Sequence, residues 1–213
     1  MEVEGKIFNF LGDSITEGTG ASEIKKSYTY IFEKKYKLAK MNNYGIGGTR
    51  IARKKTPSET PRFDLDFCKR MTEMSDEADY VVVFGGTNDF GHGDAPLGNF
   101  KDTDPYTFFG ACHTLFKGLI EKYPMSTIIV ITPLHRLGEG PKADGTPALK
   151  DFVDAEKQVA QYYSLPVLDL FSMSGLQPSV DVIKEIYMPD GLHPSDRGHE
   201  LLADRLFGFI KSL

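Results

Sequence analysis

Four short stretches of this chain are apolar with almost no alternation: IFNFL at Ile7–Leu11, YVVVF at Tyr80–Phe84, TIIVI at Thr127–Ile131 and PVLDL at Pro166–Leu170. A strand with one face in water alternates polar and apolar residues. A strand covered on both faces does not, and such strands are usually parallel. MNNYG at Met41–Gly45 is a weaker fifth candidate. Between these runs lie helical periods. In Pro105–Tyr123 the apolar positions are Phe108, Cys112, Leu115, Phe116, Leu119 and Tyr123, and Pro124 follows as a stop. The pattern also predicts helices over Tyr28–Lys40, Asp64–Met74, Ala148–Tyr163 and Ser195–Leu213. Strand and helix thus alternate, which predicts an α/β fold: an open parallel sheet with helices on both faces.

The 213 residues suffice for one sizeable domain, expected to span residues 1–213, since no repeat, linker or low-complexity tract interrupts them. A net charge of −5, spread along the chain, argues against a nucleic-acid partner, which would need a basic stripe. The short basic clusters Lys25–Lys26 and Arg53–Lys55 read as solvated surface. No apolar run reaches the ~18 residues of a membrane span, so no membrane partner is expected. The segment MEVEGKIFNF lacks the layout of a signal peptide. A cytoplasmic protein is the simplest expectation, although a secreted or periplasmic one stripped of its leader reads the same way. Cys68 and Cys112 fall in helix-like patterns and are expected to be buried free thiols.

In open α/β sheets, ligands bind at the carboxyl ends of the strands. FLGDSITEGTG, Phe10–Gly20, therefore puts the Ser14 hydroxyl at the mouth of a buried strand. Ser14-Ile15-Thr16-Glu17 also matches a capping box, in which the serine would accept from the N3 amide and Glu17 return the bond. The two roles are compatible, because the free N–H groups of a helix start also favour developing negative charge. A serine nucleophile needs a base, and the base an orienting partner. Of the five histidines, His92 and His135 lie in polar loops and His113 and His199 in helical patterns. His193 sits in a turn limited by Pro189, Gly191 and Pro194, three residues after Asp190. Asp190 could accept from one ring nitrogen while the other faces Ser14.

Oxyanion donors could come from two further loops. NYGIGGTR (Asn43–Arg50) follows the second strand candidate and lets backbone approach a ligand closely. FGGTNDF (Phe84–Phe90) follows the third and carries the Asn88 amide. The long loops Gly91–Asp104 and His135–Pro147 should frame the same rim. Each motif alone is ordinary turn chemistry. Together they place nucleophile, donors, orienter and base after strands one, two, three and the last.

The four blocks GDSITEG (Gly12–Gly18), NYGIGGTR, GTND (Gly86–Asp89) and DGLH (Asp190–His193), in this order, resemble those of the SGNH/GDSL hydrolase family. Ile15 stands where leucine is more usual. The resemblance implies a flavodoxin-like three-layer α/β/α sandwich with a five-stranded parallel sheet in the order 2-1-3-4-5. It also implies ester hydrolysis without metal or cofactor, by Ser14, His193 and Asp190. The oxyanion would meet the N–H of Ser14, the N–H of Gly48 and the side chain of Asn88, with Gly47 the neighbouring alternative to Gly48. The polar rim loops suggest a small acyl group, such as acetyl on a polar or carbohydrate alcohol, contacted by Arg50, His135 and Arg136. A lipase, lysophospholipase or thioesterase could carry the same blocks, and a non-catalytic ligand-binding protein the same fold. A flavin or nucleotide site is disfavoured, because Asp13 and Glu17 would repel phosphate. A metal-dependent hydrolase using Asp13, Asp89, Asp190 and His193 lacks the usual ligand spacing.

Overall fold

The computed structural model describes residues 3–213. Strand β1 (Ile7–Gly12) runs into the one-turn helix α1 (Ser14–Glu17), followed by α2 (Tyr28–Tyr36) and β2 (Lys40–Gly45). A loop leads to α3 (Phe67–Arg70), then β3 (Tyr80–Phe84), α4 (Thr87–His92), α5 (Phe108–Lys122) and β4 (Thr127–Ile131). The chain ends with α6 (Leu149–Tyr162), β5 (Val167–Leu168), α7 (Leu170–Met173), α8 (Asp181–Tyr187) and α9 (Asp196–Ser212). The five strands form one sheet in the order β2-β1-β3-β4-β5, with every neighbouring pair parallel. This is the predicted α/β class and strand order.

Successive residues of a strand point to opposite faces, and here both faces are covered. Phe8, Phe10, Tyr80, Val82, Phe84, Ile129 and Ile131 pack in one core with Tyr28 and Phe32 of α2 and Leu202, Leu206 and Ile210 of α9. Leu11, Val81, Val83, Ile128 and Val130 pack in the other with α5 and α6. Asn9, the polar residue within the first apolar run, is fully buried. Its amide donates to the Ser75 carbonyl (2.9 Å) and accepts from Asn42 (2.8 Å), so its burial leaves no orphaned group. Cys68 and Cys112 are free and buried, and burial pushes both thiols up.

Several predicted elements are shorter than their patterns. The helix over Tyr28–Lys40 ends at Tyr36, because Lys37 adopts φ 54° and Lys40 already begins β2. Asp64–Met74 is not one helix. It is broken into 3₁₀ turns at Pro61–Asp64 and Met71–Glu73 around α3, whose cap is the side chain of Asp66. The strand over Pro166–Leu170 shrinks to Val167–Leu168, since Asp169 accepts from the Ser172 amide and starts α7. The DGLH block does not directly follow the last strand: α7 and α8 intervene.

Phe32 is fully buried, with its ring 5.2 Å from Phe8 and 4.9 Å from Tyr36. Replacing it with alanine should destabilise the fold by about 3–5 kcal/mol. Denaturant unfolding of the Phe32→Ala variant checks this, and an unchanged midpoint would show that α2 contributes little to the core.

Candidate active site

Parallel register brings the strand ends level. Gly12 pairs with Gly45 on one side and Phe84 on the other, and Phe84 with Ile131. Ser14, Gly48 and Asn88 follow those ends by a few residues each and so open on one rim.

Ser14 is the first residue of α1 and is 9% exposed. The expected capping box is not formed. Asp13 is the cap instead, accepting from the Ile15 amide at 3.0 Å, which leaves the serine hydroxyl free to face elsewhere. Glu17 is likewise used differently, as an acceptor for the Gly47 amide (2.9 Å) and an ion-pair partner of Arg62. The Ser14 hydroxyl lies 3.0 Å from Nε2 of His193. Nδ1 of the same ring lies 2.6 Å from Oδ2 of Asp190, while Oδ1 accepts from the Leu192 and His193 amides at 2.8 and 2.7 Å. A carboxylate only accepts, so Nδ1 carries the proton and a neutral ring turns the lone pair of Nε2 toward the hydroxyl. Partial burial works against charge on Asp190, but the His193 and Leu192 hydrogen bonds outweigh it and hold the carboxyl below its ordinary range.

The loop from Ser22 to Lys26 locks this arrangement from outside. The amide and hydroxyl of Ser22 and the ammonium of Lys26 all donate to Asp196 at the start of α9, at 2.7–2.8 Å. Lys26 foremost pulls the Asp196 carboxyl down to about 2. Gly20 (φ 94°) permits the close approach, since a Cβ there would stand 2.3 Å from the Pro194 carbonyl and 3.0 Å from the His193 side chain.

The glycine loop separates its two candidate donors. The Gly47 amide is taken by Glu17, whereas among the described residues no acceptor meets the amides of Gly48 or Ser14. Gly48 has φ 78°, and a Cβ there would stand 2.2 Å from the Phe63 ring, so the position requires glycine. Its carbonyl lies 3.1 Å from Nε2 of His92. Asn88, 9% exposed, spends one amide hydrogen on the Thr49 carbonyl (3.0 Å) and keeps the other. Asp89 ties this block to the glycine loop by accepting from the Ile51 (3.0 Å) and Ala52 (2.8 Å) amides.

Two buried carboxyls sit beneath the rim. Burial pushes Asp13 up to about 6, against the Ile15 amide and the Arg70 guanidinium. Burial likewise pushes Asp89 up to about 7, against its two amide donors. Both are turned inward onto backbone amides. Among the described residues, no group of three or more His, Cys, Asp or Glu is placed to hold a metal ion.

The three expected substrate contacts fare differently. Arg50 is not on the rim: it is 2% exposed and donates to Asp94 (2.6 Å) and the Phe63 carbonyl (3.2 Å). His135 is half-buried, paired with Glu139 at 2.9 Å and packed 3.8 Å from the Phe171 ring. Arg136 donates to the carbonyl and hydroxyl of Thr87, both at 3.2 Å, and lies over the Phe90 ring. All three are occupied by the protein itself. His113 contacts Tyr163 and the Phe100 carbonyl. His199 accepts from the Tyr28 amide and, with its other ring nitrogen, donates to the Thr19 carbonyl; burial brings it down to about 4. Sequence reasoning missed Arg70 and Phe63, and it placed in a loop His92, which is the last residue of α4. Arg70 had a signal, since it follows Phe67 by three residues on an inward helical stripe.

A family model described as the GDSL-like lipase/acylhydrolase family matches residues 10–201. One crystal structure is 31% identical over 100% of this chain and 99% of its own, with a TM-score of 0.85. A protein from Lactobacillus plantarum is 29% identical over 99% of this chain and 98% of its own, also with a TM-score of 0.85. The lipase/acylhydrolase of Enterococcus faecalis shares the fold, at 23% identity over 97% of this chain and 96% of its own and a TM-score of 0.64. The search of curated proteins found no match. With its level strand ends and four motif blocks on one rim, the chain belongs to the GDSL-like lipase/acylhydrolase family, hydrolases that act on ester bonds.

Proposed function

We propose that this enzyme hydrolyses short acyl esters, foremost acetyl esters of a polar or carbohydrate alcohol, with Ser14 as nucleophile. The observation that carries the mechanism is the continuous hydrogen-bonded chain from the Ser14 hydroxyl through both nitrogens of His193 to Asp190. His193 takes the Ser14 proton as the oxygen attacks the ester carbonyl, and the carbonyl π electrons move onto oxygen. The resulting oxyanion accepts from the Ser14 N–H, the Gly48 N–H and the remaining Asn88 hydrogen. Collapse of the tetrahedral adduct expels the alcohol, which His193 protonates. Water then repeats the sequence on the acyl-enzyme and releases the acid. Asp190 keeps the ring in the tautomer this requires and steadies the imidazolium that forms.

The choice between glycines rests on the free amide: Gly47 is spent on Glu17 and Gly48 is not. The short-acyl preference is supported by the surroundings of the donors. Glu17, Arg62 and His92 are polar, the Phe63 ring closes one side, and Leu137 lies against Gly191 in the Asp190 turn. Such walls suit a compact acyl group and a hydroxylated alcohol better than a long alkyl chain.

A fluorophosphonate should modify the protein once, on Ser14, as read by peptide mass spectrometry, and Ser14→Ala should lose both adduct and esterase activity. An adduct on another serine would reassign the nucleophile. Asn88→Ala should stay folded and lose roughly 10²–10³ in kcat, as expected for one oxyanion donor; steady-state kinetics at wild-type level would remove Asn88 from that role. Among p-nitrophenyl esters, kcat/KM should fall from acetyl through butyryl to octanoyl. A maximum at octanoyl would transfer the enzyme to the lipase-like alternative.

A further inference from the structure

Arg70 is a buried cation with no ion pair among the described residues and only 4% exposure. A guanidinium in such a place is expensive unless its donors are satisfied. Here three of its four hydrogen bonds go to the segments that carry two of the rim's free donors, Ser14 and Gly48. Nη2 donates to the Gly12 carbonyl (3.0 Å), two residues before Ser14, and to the Thr49 hydroxyl (2.8 Å), adjacent to Gly48. Nη1 donates to the Tyr44 carbonyl, at the end of β2. Nε reaches back to the Leu65 carbonyl (2.8 Å), and the Phe67 ring backs the guanidinium at 4.8 Å. Thr49 passes the constraint on in two directions. Its hydroxyl donates to the Ile46 carbonyl (2.6 Å), closing the glycine turn, and its own carbonyl holds Asn88.

We propose that Arg70 is a positioning residue for the esterase reaction: its planar fork fixes the spacing of the Ser14, Gly48 and Asn88 donors. This rests on the oxyanion role proposed above for those donors. A lysine cannot reproduce the fork, because an ammonium is a point charge with no fixed donor plane. Although burial lowers the guanidinium to about 10, aided back upward by Asp13, Asp66, Glu73 and Glu17, it stays charged at neutral pH. Loosened spacing affects the transition state more than the bound ester, since the developing oxyanion makes the stronger hydrogen bonds.

The test uses Arg70→Lys, Asn88→Ala and the double variant, with p-nitrophenyl acetate as substrate and circular dichroism and thermal melts to verify folding. Arg70→Lys should lower kcat by about 10- to 100-fold, the scale of a sub-ångström to ångström misplacement, with KM within about threefold. In the Asn88→Ala background its additional loss should shrink, because both changes act on the same donors. Thr49→Val, which removes the hydroxyl relay, should behave likewise with a smaller loss, and carries the test if Arg70→Lys does not fold. A folded Arg70→Lys at wild-type kcat overturns the proposal, as does a double-variant loss equal to the product of the single losses. Fluorophosphonate labelling of wild-type Ser14 separates the two levels. Labelled Ser14 with an indifferent Arg70 removes only the positioning role, whereas unlabelled Ser14 removes the underlying mechanism.

Discussion

Everything at the rim depends on parallel register. Because β1 lies between β2 and β3 with Gly12 level with Gly45 and Phe84, three unrelated turns begin at the same height. A slip of one residue in either pairing would invert the inward and outward faces of a strand that is buried on both. It would also displace Gly48 or Asn88 from Ser14 by a strand's rise per residue, about 3.3 Å. The two apolar cores therefore hold the sheet together and also fix the site geometry.

The structure places several ionisable groups where water cannot reach them, and three of these beneath the rim are met largely by backbone. Asp13 caps α1, Asp89 gathers two amides of the glycine loop, and Arg70 spans three carbonyls and one hydroxyl. Buried charges need hydrogen bonds to persist, and backbone partners are rigid. The arrangement thus exchanges desolvation for preorganisation: turns that would be mobile at a sheet edge are pinned from below. Glu156 is treated differently. It lies fully buried on the inward face of α6 with neither carboxyl oxygen bonded, and burial raises it well above the carboxylate range. A neutral acid in the core is consistent with that environment.

Much of this was legible in the sequence because burial on both faces leaves unalternated runs such as YVVVF, and because Ser14, Asn88, Asp190 and His193 come in short blocks. What was not legible involves tertiary competition. Ser14-x-x-Glu17 satisfies a capping pattern, yet Asp13 sits one residue earlier, starts the helix itself and takes the Ile15 amide. Asp64–Met74 has helical periodicity, but Asp66 caps in its midst and divides it. Arg50 reads as an exposed loop charge until Asp94, 44 residues away, reaches it with a carboxylate. Residues 169–189 contain short helices without long periods, so neither α7 nor α8 announced itself. In each case the deciding partner is distant or the local signal fits two roles.

The hydroxyl of Ser14 and the imidazole of His193 are separated by 179 positions along the chain. In the proposed mechanism neither can act on the other until the turn that carries Asp190 and His193 has folded back onto the end of β1. Under that proposal the reactivity of Ser14 is a property of the closed fold rather than of the GDSITEG block alone.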